Sequence, residues 1–144
     1  MGSASRSVPH WHGYVFSVHG TELKDAERRP EAPMFRTSDL PPLATRHGLL
    51  KALSHVRGTF TSAADAMGWF ADEYGRLPPL LRPQSASVFP APDTAERLAD
   101  GARVLDSGID KVWGFWVVGG RYHSIMVICC PNRLELGIPC PAPP

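Results

Sequence analysis

The feature that most constrains this fold is a pair of β-rich segments near the C-terminus, residues 112–118 and 121–129, separated only by Gly119 and Gly120. Aromatic and β-branched residues dominate both segments, as is typical of strands. Two glycines between such segments favour a tight turn, because glycine readily adopts the positive φ angles that two-residue turns require. The sequence therefore predicts an antiparallel β-hairpin.

A two-residue turn would place apolar residues on both surfaces of this hairpin. The predicted cross-strand pairs are Trp116 with His123, Trp113 with Met126, and Val117 with Tyr122. Apolar surface on both sides has to be removed from water. We expect helices to cover one side, and proline-rich segments, a ligand or another subunit to cover the other.

A further strand is predicted near the N-terminus, from Trp11 to Val18, where Tyr14, Phe16 and Val18 alternate onto one face. Gly20 follows this segment and ends it. Together with the hairpin, the N-terminal strand predicts a small antiparallel sheet.

Helical spacing of apolar residues predicts about three helices in addition to the sheet. The first is expected at residues 43–57, the second begins at Ser62, and the third begins at Asp93. Ser62 and Asp93 are each followed three residues later by an acidic residue, a pattern typical of helix N-termini. The sequence thus predicts one α+β domain spanning residues 1–144, with a small antiparallel sheet packed against about three helices.

Three segments lie between or after these elements. Residues 20–42 are charged and proline-bearing without periodicity, and are predicted to form an irregular or mobile loop. Residues 78–92 are rich in proline, which cannot continue a helix, and are predicted to be a linker or an edge segment. Residues 139–144 form a proline-rich tail.

Composition and charge argue against several classes of protein. A formal net charge of +1 gives little attraction to polyanions, which argues against nucleic acid as a partner. No segment approaches the ~18 apolar residues of a membrane span or the ~7–15 of a secretory signal, so we expect a soluble cytoplasmic protein with no membrane partner. Cys129, Cys130 and Cys140 are odd in number, which indicates reduced thiols rather than a disulfide framework. No cofactor is predicted.

The string His10-Trp11-His12-Gly13 is the most conspicuous short motif. Two histidines at positions i and i+2 of a strand point to the same side and can bind one metal ion. The motif resembles the first copper-binding motif of multicopper oxidases. The chain has no further His-x-His cluster of the kind those enzymes require, so their function is not transferred. His10 and His12 remain candidate metal ligands.

A composite site is predicted if the N-terminal strand pairs beside the hairpin. His10 or His12 would then lie near one of three further side chains: His123, Cys129 or Cys130. Such nitrogen and sulfur ligands suit zinc. This arrangement would support one alternative function, a small metal- or thiol-assisted enzyme.

Residues 9–15 also resemble the histidine-bearing strand of rolling-circle replication initiators, in which polar residues bind a metal and a separate tyrosine attacks DNA. The resemblance implies Tyr74 as the nucleophile. The chain departs from that family because no strand precedes the motif and no lysine follows Tyr74 at the usual spacing. A protein that binds or nicks single-stranded nucleic acid is therefore a second alternative.

The end of the hairpin next to its turn carries the candidate ligand-binding residues. They combine aromatic, hydroxyl and cationic groups that suit an anionic or aromatic ligand. These residues are Trp113, Trp116, Arg121, Tyr122 and His123. Since no catalytic constellation accompanies them, we favour a non-catalytic binding or interaction module whose aromatic hairpin sheet binds a small ligand or a protein partner. The same apolar surface leaves a homodimer open.

Overall fold

A four-stranded antiparallel sheet forms the centre of the fold. The computed structural model describes residues 8–76 and 95–144. The spatial order of the strands is β2-β1-β4-β3, and their bounds are β1 (His10–His19), β2 (Gly58–Phe60), β3 (Lys111–Val117) and β4 (Arg121–Cys130). The N-terminal strand thus pairs along its whole length with the second strand of the C-terminal hairpin. The predicted α+β fold, with an antiparallel sheet built from these segments, is confirmed.

Two α-helices form at the positions of the second and third predicted helices. Helix α1 (Ala63–Gly75) begins after Ser62, whose Oγ accepts a hydrogen bond of 3.2 Å from a backbone N–H in the first turn. Helix α2 (Ala95–Asp106) ends just before Gly108, which has a φ of +88°. The predicted start of the third helix at Asp93 lies outside the described residues.

Both helices pack on one face of the sheet, which we call the helix face. Aromatic and aliphatic residues of β1 and β4 contact the buried sides of α1 and α2 there. The buried cluster consists of Trp11, Ala63, Ala66, Met67, Phe70, Leu105, Ile125, Val127 and Cys129. Trp113 of β3 extends this cluster by stacking on Phe70, with ring centroids 5.8 Å apart.

The opposite face of the sheet, which we call the loop face, is covered by irregular structure. Its buried cluster consists of Tyr14, Phe16, Leu49, Met126, Ile128, Cys130 and Ile138. Leu49 and Ile138 come from segments outside the sheet and the α-helices, one in the middle of the chain and one near its end. The apolar residues of β4 are therefore buried on both faces, as predicted for the hairpin, whereas Val112 and Trp116 of β3 are exposed on the loop face.

The hairpin register differs from the predicted one by a single residue. Val118 joins Gly119 and Gly120 in a three-residue turn, with φ angles of 91° and 73° at the two glycines. Adding one residue to a turn moves every cross-strand partner by one position and changes which side chains share a face. The observed pairs are Val117–Arg121, Trp116–Tyr122, Phe115–His123 and Trp113–Ile125. They replace the predicted pairs Trp116–His123, Trp113–Met126 and Val117–Tyr122.

The first predicted helix, at residues 43–57, is formed as 3₁₀ helix rather than as α-helix. Its two pieces are Thr45–Leu50 and Leu53–His55. Lys51, which lies between them, has an extended backbone with a ψ of 158°. This break lets the Lys51 ammonium donate to the carbonyl oxygen of Phe35 at 2.7 Å. A long-range contact therefore ends the helix where leucine spacing would continue it.

The remaining segments contain little regular structure. Residues 20–42 form two short 3₁₀ helices, Gly20–Glu22 and Asp25–Arg28, followed by turns. The predicted linker at residues 78–92 lies outside the described residues. Within the described ranges, no helix is long and apolar enough to cross a membrane.

Candidate metal centre

Three side chains with metal-binding atoms converge where β1 meets the end of β4. His10 and His12 both alternate onto the loop face, and His10 is the direct cross-strand partner of Cys130. Antiparallel pairing holds the Cβ atoms of such partners about 5 Å apart. His10, His12 and Cys130 are 1%, 0% and 3% exposed. Strand register alone therefore brings three buried ligands together.

Cys140 completes the group from the C-terminal tail. Its Sγ lies 3.3 Å from the Nε2 of His10 and 3.6 Å from the Nε2 of His12. The ligand atoms of His10, His12, Cys130 and Cys140 all lie within 4.8 Å of one another. Among residues 8–76 and 95–144, this is the one cluster of His, Cys, Asp or Glu side chains that could hold a metal ion.

In both histidines Nε2 faces the cluster, and a polar contact of Nδ1 orients the ring. The Nδ1 of His10 lies 2.7 Å from the carbonyl oxygen of Val8. Since a carbonyl can only accept, Nδ1 of His10 donates a proton to it, and Nε2 faces the Cys140 sulfur. The Nδ1 of His12 lies 3.0 Å from the Thr59 hydroxyl, so β2 orients the second ring. Such outer contacts are typical of metal-binding histidines.

The separations of the Cys140 sulfur from the two imidazoles fit tetrahedral zinc. Zinc binds imidazole nitrogen at about 2.0–2.1 Å and thiolate sulfur at about 2.3 Å, which places neighbouring nitrogen and sulfur ligands about 3.6 Å apart. The two separations between the Cys140 sulfur and a histidine Nε2 are 3.3 and 3.6 Å. Two imidazoles with two thiolates are also a common ligand set of structural zinc sites. The cluster therefore fits one zinc ion with four protein ligands.

Burial controls the protonation of these ligands. Desolvation lowers the pKa of His12 to about 4, with a smaller contribution from the nearby His10. Desolvation raises the pKa of the Cys130 thiol to about 12, and the adjacent Cys140 adds to this effect. The metal-free cluster therefore presents a neutral His12 imidazole ready to coordinate, and a Cys130 thiol that loses its proton when a cation binds.

The Tyr14 hydroxyl lies beside the two sulfur ligands. It is buried and has no hydrogen-bond partner in the described part of the chain. Burial, followed by the nearby Cys130 and Cys140, raises the pKa of this hydroxyl, so it is a neutral donor. A metal-bound thiolate accepts hydrogen bonds from such donors. Zinc coordination would therefore provide the missing acceptor for Tyr14.

The composite site predicted from the sequence is brought together only in part. Cys129 alternates onto the helix face, where its Sγ contacts the carbonyl oxygen of Leu105 at 3.8 Å. Burial and the nearby Asp110 raise the pKa of the Cys129 thiol to about 12. His123 also lies on the helix face, about 23 Å along β4 from Cys130. The cluster retains His10, His12 and Cys130 of the predicted ligands and adds Cys140.

The candidate ligand-binding residues of the hairpin are divided between the two faces. Trp116 and Tyr122 pair on the loop face, with ring centroids 5.4 Å apart. Trp113, Arg121 and His123 alternate onto the helix face, where Trp113 stacks within the core. Burial, followed by the adjacent Arg121, lowers the pKa of His123. These residues do not line one common site, and ligand binding by them stays a prediction.

Tyr74, the nucleophile implied by the resemblance to rolling-circle initiators, is separated from the histidines by the sheet. It belongs to α1, and its ring stacks on Trp113 with centroids 5.0 Å apart. His10 and His12 lie on the opposite face. The geometry therefore does not support a site in which Tyr74 attacks a metal-bound nucleic acid.

Sequence reasoning missed Cys140 as a ligand. A signal for it exists, because Cys140 lies in a tail of prolines that offers no strand or helix in which a cysteine would pack. Counting Cys140 together with Cys130 and the His-x-His motif gives two thiols and two imidazoles. The orienting contacts from Val8 and Thr59 carry no sequence signal, since they depend on the sheet register.

Comparison of this chain with protein-family models, curated proteins and solved structures gives no match in any of the three. The functional interpretation therefore depends on the geometry of the cluster.

Proposed function

We propose that this protein is a non-catalytic, zinc-stabilised binding domain whose metal is bound by His10, His12, Cys130 and Cys140. The observation that carries this proposal is the convergence of four ligand atoms, from three separate segments, to within 4.8 Å. Their chemistry, two imidazole nitrogens and two sulfurs, matches the preference of zinc.

A structural role for the metal is favoured over a catalytic one. Catalytic zinc sites keep a coordination position for water or substrate, whereas structural sites are closed by four protein ligands. Here all four positions have a protein side chain, and His10, His12 and Cys130 are buried. A bound ion would join β1, β4 and the C-terminal tail, and its binding free energy would contribute to folding.

A cytoplasmic location is part of the same proposal. Reducing compartments keep cysteines as thiols, which are the form that binds zinc once deprotonated. Cys130 and Cys140 are both free cysteines in this fold.

A second candidate function is self-association through the edge strand β3. On the loop face of this strand, Val112 and Trp116 are 45% and 54% exposed, and Val118 in the adjoining turn is 46% exposed. An apolar edge strand can pair with the same strand of a second copy. Light scattering tests this candidate: a dimer that Trp116→Ser dissociates supports it, and a monomer at all concentrations excludes it.

Metal titration of matched variants tests the zinc proposal. Tag-free protein stripped of metal would be titrated with zinc against a chromogenic chelator of known affinity. We expect about one zinc ion per chain for the wild type and for Cys129→Ser, which removes the neighbouring thiol on the other face of the sheet. Cys140→Ser should lose tight binding. Equal affinity of Cys140→Ser and Cys129→Ser for zinc contradicts the proposal.

A further inference from the structure

The two sulfur ligands differ in their access to solvent. Cys130 is 3% exposed at the end of β4, whereas Cys140 is partly exposed. Oxidation of cysteines follows thiolate character and exposure, so of two metal-bound thiolates the partly exposed one reacts before the buried one. Cys140 is therefore the point at which a small oxidant reaches the cluster.

The tail that carries Cys140 is attached mainly through this side chain. Pro139 and Pro141 flank Cys140 and have no backbone N–H to donate. In the described ranges, none of the backbone hydrogen bonds of turns and loops involves residues 139–144. The tail is positioned instead by its Cys140 side chain. The sulfur contacts His10 and His12, and the residue packs on the apolar cluster of the loop face. The sulfur can therefore shift without breaking secondary structure.

The geometry of the cluster also brings the two sulfurs near each other. In a tetrahedral zinc site they would lie about 3.8 Å apart, and a disulfide requires about 2.05 Å. Cys130 is fixed in β4, so movement of the tail would close this gap. Cys129 cannot take the place of either partner, because its sulfur lies on the helix face against Leu105.

We propose that mild oxidation releases zinc from this site by converting Cys130 and Cys140 into a disulfide. This inference rests on the proposed zinc site and describes its regulation. The oxidant is a peroxide, supplied from outside the protein. Once the thiolate pair is gone, only the imidazoles of His10 and His12 remain as ligands, and two imidazoles bind zinc far more weakly than four ligands.

The reaction has two balanced steps. The Cys140 thiolate attacks one oxygen of hydrogen peroxide, the O–O bond breaks, and the other oxygen leaves as hydroxide, giving a sulfenic acid. The Cys130 thiolate then attacks the sulfenic sulfur, forms the S–S bond and displaces a second hydroxide. Solvent protons convert both hydroxides to water. The two sulfurs together lose two electrons, which the peroxide accepts.

The disulfide state keeps part of the cross-link that zinc provides. Cys130 and Cys140 still join β4 to the tail, whereas His10 and His12 of β1 lose their common partner. Oxidation would thus remove the link between the N-terminal strand and the tail, while the disulfide keeps the tail joined to β4. The site would work as a reversible thiol switch.

The test uses the zinc-loaded Cys129→Ser variant, in which Cys130 and Cys140 are the remaining cysteines. After treatment with hydrogen peroxide, released zinc is measured with a chromogenic chelator, and thiols are alkylated and analysed by mass spectrometry. We expect release of all bound zinc, a mass decrease of about 2 Da and no alkylation. A dithiol reductant with added zinc should restore the starting mass and metal content.

Three outcomes would overturn the inference, and they are distinguishable. If the variant binds no zinc before oxidation, the proposed function fails and this inference fails with it. If zinc binds but is retained after peroxide treatment, and Cys130 and Cys140 are still alkylated once the metal is removed, the inference alone fails. If zinc is released while each sulfur gains about 32 Da as a separate sulfinic acid, the disulfide switch is excluded.

Discussion

The Nε2 of His10 lies 3.3 Å from the Sγ of Cys140, although the two residues are 130 positions apart in the sequence. His10 belongs to the first strand, and Cys140 belongs to the tail that follows the last strand. No backbone hydrogen bond is needed to bring them together, because both side chains meet on the loop face beside Cys130. Side-chain chemistry at one point thus joins the two ends of the fold.

Removing zinc should destabilise the protein. Zinc bound to both His10 and Cys140 would cross-link residues 130 positions apart and so restrict the unfolded chain. We expect its removal to lower the free energy of unfolding by at least about 3 kcal/mol. Urea denaturation with zinc and with a chelator measures the difference. The Cys140→Ser variant is the control, since its stability should not respond to the chelator. Equal unfolding midpoints of the wild type under both conditions would argue against the metal as a stabilising element.

Tyr14→Phe should weaken zinc binding without preventing folding. The substitution removes a hydroxyl that is buried, without a partner in the described part of the chain, and next to both sulfur ligands. Loss of such an outer contact typically costs about 10-fold to 100-fold in metal affinity. A chelator competition assay measures the affinity, and Tyr74→Phe serves as a control on the helix face. Unchanged affinity in Tyr14→Phe would remove Tyr14 from the site.

The elements that the sequence predicts correctly are those set by local patterns. The alternation of apolar side chains from Trp11 to Val18 defines the N-terminal strand. The glycine pair at residues 119–120 defines the hairpin. The cap at Ser62 defines the start of α1. Each signal involves residues close in sequence, so no knowledge of the packing is required.

The features that sequence reasoning misses depend on contacts between distant segments. The hairpin register depends on whether Val118 belongs to a strand or to the turn, and composition does not decide this. Strand β2 has three residues, too few for an alternating pattern. Gly13 of the His-Trp-His-Gly motif is explained only by the fold, since a Cβ there would lie 2.6 Å from the Trp69 ring of α1.

The buried Lys51 should make stability depend on pH. It is 2% exposed, and burial lowers its pKa to about 8, against a smaller opposing effect of Asp39. The pKa of an unfolded lysine is about 10.4, so between about pH 8 and pH 10.4 the unfolded chain binds more protons than the native one, and stability rises with pH.

A comparison with Lys51→Met isolates this effect from other titrating groups. The stability of the wild type relative to Lys51→Met should increase by an amount on the order of 2 kcal/mol between about pH 8 and pH 10.4. Urea unfolding at several pH values gives this difference. A constant difference, or one that falls with rising pH, would contradict the lowered pKa of Lys51.

Two glycine-to-alanine substitutions should change stability in opposite directions. Gly119 has a φ of 91° in the hairpin turn, and Gly68 lies inside α1; an added Cβ meets nothing within 4 Å at either position. Gly119→Ala should therefore destabilise by about 1–2 kcal/mol through backbone strain alone. Gly68→Ala should stabilise by about 0.5–1 kcal/mol. Urea denaturation measures the free energy of unfolding of both variants. A change of the same sign in the two variants would contradict the turn conformation.

X-ray absorption spectroscopy at the zinc edge tests the central claim most directly. Protein purified without a histidine tag and loaded with zinc should show two nitrogen ligands at about 2.0–2.1 Å and two sulfur ligands at about 2.3 Å. Cys140→Ser, which should lose tight binding, should not show this shell of two sulfur ligands. A shell of oxygen and nitrogen ligands without sulfur would show that zinc does not bind at His10, His12, Cys130 and Cys140.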